Sequence, residues 1–318
     1  MRVLVLGGTH FLGRHVVDAA LAAGHDVATL TRGVSGDPPD GVRAFRGDRE
    51  QPLPGDVLAW APELVVDTSC RTRAAGEHAA VLDPAGYAFV SSLNAYRDWP
   101  PGPVRSEHDP TWDTDDDEYG PAKAHAERVL GAALGDRLLT ARAGLVVGPH
   151  DRVHRLGWWL LRIAAGGPVV VPDALAQPMA LVDARDLAGW LVAACGQVSG
   201  PVNATGPAGM TTLGGLLDTC REVTGGDAEW VVVPEDDLLA AGVQPWVHLP
   251  LWLPADTART AWDVDTTRAR ELGLPSRPLR DTVADTWAWL QAAGAPGGDD
   301  LPGLPPDLEA RLLALPRT

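Results

Sequence analysis

A glycine-rich turn near the start of the chain, GGTHFLG at residues 7–13, constrains the fold more than any other feature of the sequence. It follows an apolar run at residues 3–6, which is too short for a helix and is typical of a strand buried on both faces. It precedes an amphipathic stretch that ends at Gly24. A buried strand, a glycine turn and a helix in this order predict the first unit of a parallel α/β sheet.

The same alternation continues along the first half of the chain. Further strands are predicted at residues 27–30, 42–45, 64–66, 87–90, 138–141 and 145–147, and a helix is predicted from Pro121 to about Leu134. Right-handed crossovers place helices on both faces of such a sheet. We therefore expect a doubly wound parallel sheet, the Rossmann arrangement, over residues 1–150.

The second half of the chain has a different composition. Nine of the 12 tryptophans follow residue 150, where helical stretches alternate with loops rich in Pro and Gly. We expect a smaller substrate-binding lobe over residues 151–293, with about 178–206 folding back onto the first domain. Residues 294–318 are predicted to be a linker and a short terminal helix.

Composition excludes several classes of protein. The 318 residues include 26 basic and 42 acidic side chains, so a net charge of −16 makes nucleic acid an unfavourable partner. The sequence contains no stretch of about 18 apolar residues, so no membrane span is predicted. Three distant cysteines argue against a disulfide framework and against a metal site. The sequence indicates a cytoplasmic enzyme that acts on a small molecule.

The glycine turn is a candidate site for a pyrophosphate. A helix N-terminus offers main-chain N–H groups and the positive end of the helix dipole, and glycines let the turn tighten and pack closely. A turn that binds nothing is the alternative. The predicted contacts are made by Gly7, Thr9, His10, Phe11, Leu12 and Gly13.

The end of the second predicted strand indicates which dinucleotide is bound. Residues 30–33 read LTRG, without the carboxylate that usually binds the 2′-hydroxyl of the ribose. Arg32 suits a 2′-phosphate instead, so NADP(H) is favoured and NAD(H) is retained as the alternative. Arg32 could also be an ordinary solvated side chain. Asp48, after the third strand, is a candidate for contact with the adenine or a plain turn residue.

The chain contains 25 arginines and one lysine, Lys123, which lies four residues after Tyr119. This spacing places the two side chains on one face of a helix. The pKa of a tyrosine is ordinarily about 10, and a neighbouring ammonium lowers it by stabilising the phenolate. Tyr119 is therefore predicted to act as an acid/base, and Lys123 to assist it and to hold the nicotinamide ribose.

Ser91 and Ser92 follow the fifth predicted strand. A hydroxyl at the carboxyl end of a strand in such a sheet points into the ligand crevice, where it could bind the substrate oxygen beside Tyr119. Capping of a turn is the alternative role for this pair.

Together these segments resemble the extended short-chain dehydrogenase/reductase superfamily, also described as the NAD-dependent epimerase/dehydratase family. The resemblance covers residues 1–225 well and 256–292 loosely. It rests on five segments in order: GGTHFLG, VSSLNAY, YGPAK, ARAGLVVGPHDR and QPMALVDARDLA. A later stretch, PVNATG, is similar to a late strand of the family.

The resemblance implies roles for individual residues. Tyr119 would be the general acid/base, Lys123 its partner and Ser92, four residues before Tyr96, the catalytic hydroxyl. The contacts of the cofactor would include Asp67, Thr68, Ser69, Lys123, Ala143 and Leu145. The substrate contacts would come from Asn94, His150, Arg155 and Trp158. Members of the family often form homodimers, which is the oligomer expected here.

Three positions depart from the family pattern. His10 replaces the middle glycine of the turn, as in an atypical branch that includes reductase-like and RNA-binding members. Ala143 follows Arg142 where the family has a proline, and Asp67 stands where a histidine is common. The first departure affects the geometry of the cofactor, and the other two affect the nicotinamide pocket.

Three functions are compatible with these residues. The leading hypothesis is an NADP-dependent oxidoreductase that transfers a hydride between nicotinamide and a carbonyl/alcohol pair. The second is an NAD(P)-dependent nucleotide-sugar epimerase or dehydratase. The third is a non-catalytic dinucleotide sensor or RNA-binding member, against which the intact Tyr119, Lys123 and Ser92 set and the net charge of −16 both argue.

Overall fold

The structure is a computed structural model that describes residues 1–34, 36–69, 73–114, 116–294 and 302–315. Its first elements are β1 (Arg2–Leu6), α1 (Phe11–Ala22), β2 (Asp26–Thr31), β3 (Arg43–Arg46), α2 (Gly55–Trp60), β4 (Leu64–Asp67), α3 (Ala75–Leu82), β5 (Gly86–Ser92), α4 (Tyr119–Leu134), β6 (Leu138–Ala143) and β7 (Leu145–Val147). The predicted elements of this half are therefore present, with ends that shift by at most two residues.

The second half contains more helix than strand. Its elements are α5 (Arg155–Ala164), β8 (Pro168–Pro172), β9 (Pro178–Met179), β10 (Leu181–Asp183), α6 (Ala184–Ala194), β11 (Gly200–Ala204), β12 (Thr211–Thr212), α7 (Leu213–Thr224), β13 (Glu229–Val233), α8 (Glu235–Ala240), α9 (Ala255–Ala261), α10 (Thr267–Glu271), α11 (Leu279–Ala293) and α12 (Pro306–Leu313). Among the described residues, no helix combines the length and apolarity that crossing a bilayer requires.

The chain divides into two compact units. Unit 1 comprises Met1–Val146, Leu181–Pro207 and Val264–Ser276, and unit 2 comprises Val147–Ala180, Ala208–Asp263 and Arg277–Thr318. The return of the chain to unit 1 lies close to the predicted 178–206. The second return, at 264–276, differs from the prediction, which left these residues in the substrate lobe. The predicted linker and short terminal helix at 294–318 lie partly outside the described residues, and α12 corresponds to the predicted helix.

Unit 1 is built on a seven-stranded sheet in the order β11-β6-β5-β4-β1-β2-β3, with every neighbouring pair parallel. Alternate residues of β1 enter two different cores. Val3 and Val5 pack in the core that includes α1 and α6, whereas Leu4 and Leu6 pack in the core that includes α3 and α4. The strand is thus buried on both faces, and the predicted Rossmann-like fold is confirmed.

Unit 2 contains two small sheets and several packed helices. β13 pairs with β8 in parallel, and β12 pairs with β9 in an antiparallel manner. Trp159 and Trp252 are fully buried, and the indole of Trp159 donates a hydrogen bond to the main-chain oxygen of Pro250 at 2.6 Å. Tryptophans therefore form part of the core of this unit.

Candidate active site

Five loops that carry predicted site residues lie along one edge of the unit 1 sheet. They follow the carboxyl ends of β5, β4, β1, β2 and β3, which are consecutive neighbours in the parallel sheet. The strand order reverses between β1 and β4. β2 and β3 are added on one side of β1, and β4 and β5 are added on its other side. In open α/β sheets, ligands bind outside the carboxyl ends of the strands at such a switch point.

Two glycines of the turn, Gly7 and Gly13, leave no space for a side chain at their positions. A Cβ atom added to Gly7 would lie 2.4 Å from Thr68 Oγ1, and one added to Gly13 would lie 2.6 Å from the main-chain nitrogen of Gly8. Gly7 also has a φ of 116°, which side chains disfavour. The main chain of the turn at Gly8 therefore lies in close contact with the first helix at Gly13.

The start of α1 is suited to an anion. The side chain of His10 makes no capping hydrogen bond there, and the first turn contains no acidic residue. Main-chain N–H groups and the helix dipole can therefore act on a bound phosphate. The side chain of Leu12 is buried in the core and Phe11 packs against it, so a cofactor contact by these two residues would be made by the main chain.

A cleft of about 270 Å³ opens beside this turn. It joins the glycine turn to the ends of β2, β3 and β4. Its lining residues are Gly7, Thr9, His10, Leu30, Thr31, Arg32, Gly33, Val34, Gly47, Asp48, Arg49 and Ser69. Five of the predicted cofactor contacts in the turn and the next two loops (Gly7, Thr9, His10, Arg32 and Asp48) are therefore brought together, along with Ser69.

Arg32 is exposed at the wall of this cleft and is accompanied by a second arginine. Arg46 is the register partner of Thr31 across the β2–β3 pair, and its guanidinium donates to Thr31 Oγ1 at 2.8 Å. It also pairs with Asp37. A Cβ atom on Gly33 would lie 3.0 Å from Arg46 Nη1. Two guanidinium groups thus lie near the place predicted for a 2′-phosphate.

Asp48 is half-buried in a turn after β3. Its Oδ1 accepts a hydrogen bond from the main-chain nitrogen of Glu50 at 3.0 Å. The residue therefore has the turn role that the sequence allowed, and it lines the cleft as well.

Lys123 is 4% exposed and is held by main-chain oxygens. Its Nζ donates to the oxygen of Val90 at 2.8 Å and to that of Ser69 at 3.2 Å. It also lies 4.8 Å from the ring centre of Phe89 and 5.9 Å from that of Tyr119. The ammonium is thus fixed between the ends of β4 and β5, next to the predicted acid/base.

Tyr119 is the first residue of α4, and its side chain is 53% exposed. The position of this helix start is set by a close contact, because a Cβ atom on Gly120 would lie 2.4 Å from the main-chain oxygen of Asn94. The indole of Trp112 donates to the same oxygen at 3.1 Å. Glycine at 120 therefore lets Tyr119 approach the loop that follows β5.

The two serines that end β5 have different partners. The Ser91 hydroxyl is buried and donates to the carboxylate of Glu127, which is paired with Arg142 at 2.7 Å. Ser92 Oγ accepts hydrogen bonds from the main-chain nitrogen and from Nδ2 of Asn94, both at 3.2 Å. Asn94 thus orients Ser92, and Ser91 belongs to a buried ionic network.

Ala143 ends β6, and Leu145 begins β7 two residues later. Between them, Gly144 approaches Thr205 so closely that a Cβ atom would lie 2.3 Å from its Oγ1. Ala143 is 7% exposed and Leu145 is half-buried. Any cofactor contact by Ala143 would therefore be made mainly through its main chain.

Asp67 lies at the end of β4 and is completely buried. Its Oδ2 accepts from Arg49 Nη2 at 2.8 Å and from the Tyr87 hydroxyl at 2.7 Å. Its Oδ1 accepts from the main-chain nitrogen and the hydroxyl of Ser69, at 3.0 and 2.6 Å. With both oxygens engaged inside the protein, this carboxylate can act on a cofactor only through its neighbours.

The predicted substrate residues of the second half belong to unit 2. Arg155 begins α5, and its guanidinium lies 5.1 Å from the ring centre of Trp246. Trp158 is half-buried, with its ring centre 4.7 Å from that of Trp159. His150 lies 5.4 Å from Trp289, centre to centre. These three residues therefore make aromatic or cation–π contacts within their own unit.

Sequence reasoning missed two arginines, Arg46 and Arg49. Arg49 directly follows Asp48 and lines the cleft, although its side chain is only 7% exposed. Arg46 is opposite Thr31 only because β2 and β3 pair in the observed register. A basic residue at the end of the third strand is a signal that could have been examined alongside Arg32.

Two curated relatives are similar to the chain in sequence, and no family model matches it. 2′-Dehydrokanamycin reductase from Streptomyces kanamyceticus is 32% identical over 198 residues, which are 58% of this chain and 55% of that relative. The match thus spans about half the length of that enzyme. dTDP-6-deoxy-L-talose 4-dehydrogenase (NAD(P)(+)) from Kitasatospora kifunensis is 28% identical over 90% of this chain and 94% of its own. By name both are oxidoreductases, in agreement with the predicted enzyme class.

Solved structures share the fold over almost the whole chain. UDP-glucose 4-epimerase from Thermotoga maritima, solved with UDP-glucose, has a TM-score of 0.67 at 19% identity and covers 92% of this chain and 99% of its own. WbmH from Bordetella bronchiseptica, in complex with NAD+, has a TM-score of 0.69 at 19% identity with the same coverage. The fold and these relatives together confirm the resemblance to the extended short-chain dehydrogenases/reductases that the motifs predicted.

Proposed function

We propose that the protein is an NAD(P)-dependent enzyme of the epimerase/dehydratase type, which acts on a nucleotide-linked sugar by hydride transfer at a ring carbon. This is the nucleotide-sugar alternative of the sequence analysis. It moves ahead of the general carbonyl/alcohol hypothesis because UDP-glucose epimerases are among the fold neighbours and a dTDP-sugar dehydrogenase is a relative over 90% of the chain.

One observation carries the proposal. Lys123 Nζ is fixed by two main-chain oxygens, 5.9 Å from the ring centre of Tyr119, at the sheet edge that also carries the glycine turn. In this proposal the glycine turn binds the dinucleotide, and Tyr119 is the acid/base that hydride transfer to or from an alcohol requires.

Each side chain has a role in this proposal. A bound nicotinamide would accept and return the hydride. Tyr119 takes the proton of the sugar hydroxyl as the carbon is oxidised, and gives it back on reduction. The Lys123 ammonium stabilises the tyrosine phenolate and holds the nicotinamide ribose. Ser92, oriented by Asn94, donates to the sugar oxygen and holds it beside Tyr119.

The residues around the cleft favour a nicotinamide dinucleotide with a 2′-phosphate. Gly7, Gly13 and the start of α1 would hold the pyrophosphate. Arg32 would bind the 2′-phosphate of NADP(H), and Arg46 would contribute a second guanidinium. Ser69 and the turn at Asp48 would border the adenosine. NAD(H) remains the alternative, since structural neighbours such as WbmH bind NAD+.

A net dehydrogenase or reductase is the second candidate. It is favoured by the names of the two curated relatives, both of which denote net oxidation or reduction. It shares Tyr119, Lys123 and Ser92 with the first candidate and differs in the fate of the cofactor. An epimerase or dehydratase regenerates its cofactor in each turnover, whereas a dehydrogenase releases it changed.

Mass spectrometry of the cofactor released from denatured protein, followed by turnover assays, separates these candidates. Tightly retained cofactor, and conversion of UDP- or dTDP-hexoses without net change in nicotinamide absorbance, support the epimerase/dehydratase proposal. Stoichiometric consumption of either dinucleotide, which the isolated protein does not retain, supports the second candidate. Protein that binds neither dinucleotide contradicts both enzyme candidates and the dinucleotide sensor, and leaves the RNA-binding member of the third hypothesis.

A homodimer and a cytoplasmic location stay predictions from the resemblance and from composition. Light scattering of the purified protein tests the first. A single mass near 33.5 kDa at assay concentration would contradict it.

A further inference from the structure

A buried ion pair joins the third and fourth strand ends of unit 1. Arg49 and Asp67 are 18 residues apart in sequence, and their side chains, 7% and 0% exposed, meet at 2.8 Å. Tyr87 donates to the same oxygen of Asp67 from β5. Neither residue of this pair is given a chemical role in the proposed function.

Asp67 is ionised in this setting. Burial acts to raise its pKa, but the charge of Arg49 and the hydrogen bonds from Ser69 and Tyr87 outweigh burial and lower the pKa below its usual value. Asp67 raises the pKa of Arg49 in turn, against the effect of burial. Burial and the charge of Arg49 lower the pKa of nearby His78, whose Nε2 makes a hydrogen bond to the Gln51 oxygen.

Stability alone is a poor explanation for this pair. Desolvation of two charges can exceed their attraction, and apolar residues of similar volume often serve as well or better. Here Nε and Nη1 of Arg49 are also buried without a partner among the residues that the structure describes. Such groups reduce the free energy of unfolding, so the pair is better explained by the geometry it imposes.

A series of hydrogen bonds connects this pair to Lys123, the only lysine of the chain. Asp67 Oδ1 holds both the nitrogen and the hydroxyl of Ser69, and the carbonyl of Ser69 accepts from Lys123 Nζ. Between them, Thr68 donates from its main-chain nitrogen and its hydroxyl to the oxygen of Leu6, at 3.0 and 3.1 Å. Hydrogen bonds thus fix the main chain of residues 67–69. The Ser69 carbonyl, which accepts from Lys123, belongs to the residue that Asp67 holds.

We propose that Asp67, paired with Arg49, is a positioning residue that sets the location of the Lys123 ammonium through the main chain of Ser69. The proposal deepens the proposed function, because Lys123 is the partner of Tyr119 there. It also gives the unusual carboxylate at position 67 a role that needs no contact with the cofactor.

The single lysine makes this testable without an enzyme assay. In protein grown with lysine labelled with ¹³C at Cε, Lys123 gives one side-chain signal. We expect Asp67→Asn, which keeps the size of the side chain but removes its charge, to change the shift and broaden this signal. An unchanged lysine signal in folded Asp67→Asn protein would overturn the proposal.

Asp183→Asn is the matched control. Asp183 is another buried carboxylate of unit 1, but its partner is Arg185 at the start of α6. We expect this variant to leave the Lys123 signal in place even if it unfolds more readily. An equal change in both variants would mean that the lysine responds to general loosening, and this result too would overturn the proposal.

If Asp67→Asn does not fold, Ser69→Ala replaces it. This variant removes the hydroxyl bond to Asp67 and leaves the main chain of Ser69 intact. A smaller change of the lysine signal in the same direction is expected, and none would contradict the proposal. NADPH affinity, measured by fluorescence, should fall about tenfold in Asp67→Asn, since small misplacements of positioned groups are costly. If the wild type binds neither NADPH nor NADH, the proposed function fails while the lysine test stands.

Discussion

The guanidinium of Arg142 and the carboxylate of Glu127 form an ion pair of 2.7 Å in the interior of unit 1, where their side chains are 7% and 10% exposed. Ser91 donates to the same carboxylate, and the Arg142 guanidinium lies 4.5 Å from the ring centre of Tyr96. The end of β5, next to Ser92, is thus held in place by a buried ionic network through Ser91.

We expect Glu127→Ala to lower the free energy of unfolding by about 3 kcal/mol or more, because it leaves the Arg142 charge buried and unpaired. Chemical denaturation measures this change. The matched control is Glu222→Ala, which removes the partner of Arg280 in a pair that is 67% and 63% exposed. Exposed pairs contribute little, so equal losses in the two variants would contradict the expectation.

Gly13→Ala should weaken dinucleotide binding. Its methyl group would lie 2.6 Å from the main-chain nitrogen of Gly8, so the turn itself must move. We expect NADPH affinity, measured by fluorescence titration, to fall by about tenfold or more, which corresponds to about 1.4 kcal/mol. Gly131→Ala, on an open face of α4 with nothing near its Cβ, should leave binding intact and add about 0.5–1 kcal/mol of stability. Unchanged affinity in folded Gly13→Ala protein would show that the turn does not hold the dinucleotide.

The sheet could be predicted because its signal is local. Each strand of unit 1 reads as a short apolar run, since both faces of a parallel sheet are covered. The turn after β1 could be recognised from the spacing of its glycines, although the close contact that requires Gly7 is made with Thr68, which is distant in sequence. Tyr119 and Lys123 needed only helical spacing.

The remaining features depend on contacts that are distant in sequence. Arg49 reaches Asp67 because the chain returns from β3 to place β4 beside β1, an order that no single segment specifies. The return of 264–276 to unit 1 was missed for a similar reason. Its helix α10 has five residues, too few for a clear periodic pattern, and its burial depends on the packing of Ala269 and Leu274 against the unit 1 core.

Arg32→Ala should erase a preference for NADPH over NADH. A charge-assisted hydrogen bond is worth about 1.5–3 kcal/mol, so we expect the ratio of the two affinities to fall about tenfold. Arg46→Ala should reduce it as well, because this guanidinium lies beside Thr31 and Gly33. Arg43→Ala, at the other end of β3, is the matched control and should leave the ratio unchanged. Equal affinities of the wild type for both dinucleotides would remove the basis for a 2′-phosphate site.

Tyr119→Phe should abolish turnover and leave cofactor binding intact. The change removes one hydroxyl from a residue that is 53% exposed, so we expect little change in the free energy of unfolding. Loss of a general acid/base lowers turnover by about 10²–10⁴-fold. Conversion of UDP- or dTDP-hexoses gives the rate, and NADPH titration gives the affinity. Retained turnover would remove Tyr119 from the acid/base role.

Asp151 should make the stability of the protein depend on pH. It is 7% exposed at the start of unit 2, and burial raises its pKa to about 6, although hydrogen bonds from the main chain at Val153 and the charge of Arg155 act to lower it. An unfolded aspartate has a pKa of about 3.9. Between these two values the folded state holds a proton that the unfolded state has lost, so the free energy of unfolding falls as pH rises from about 4 to about 6.

Above about pH 6 both states are ionised and the destabilisation is complete, at up to about 3 kcal/mol for a difference of about two pH units. Asp151→Asn keeps the oxygen that accepts from Val153 and removes the charge. The variant should therefore be more stable than wild type at neutral pH and of nearly equal stability at about pH 4. Urea denaturation of both proteins across this range measures the difference, and parallel stability curves would show that Asp151 does not titrate in this window.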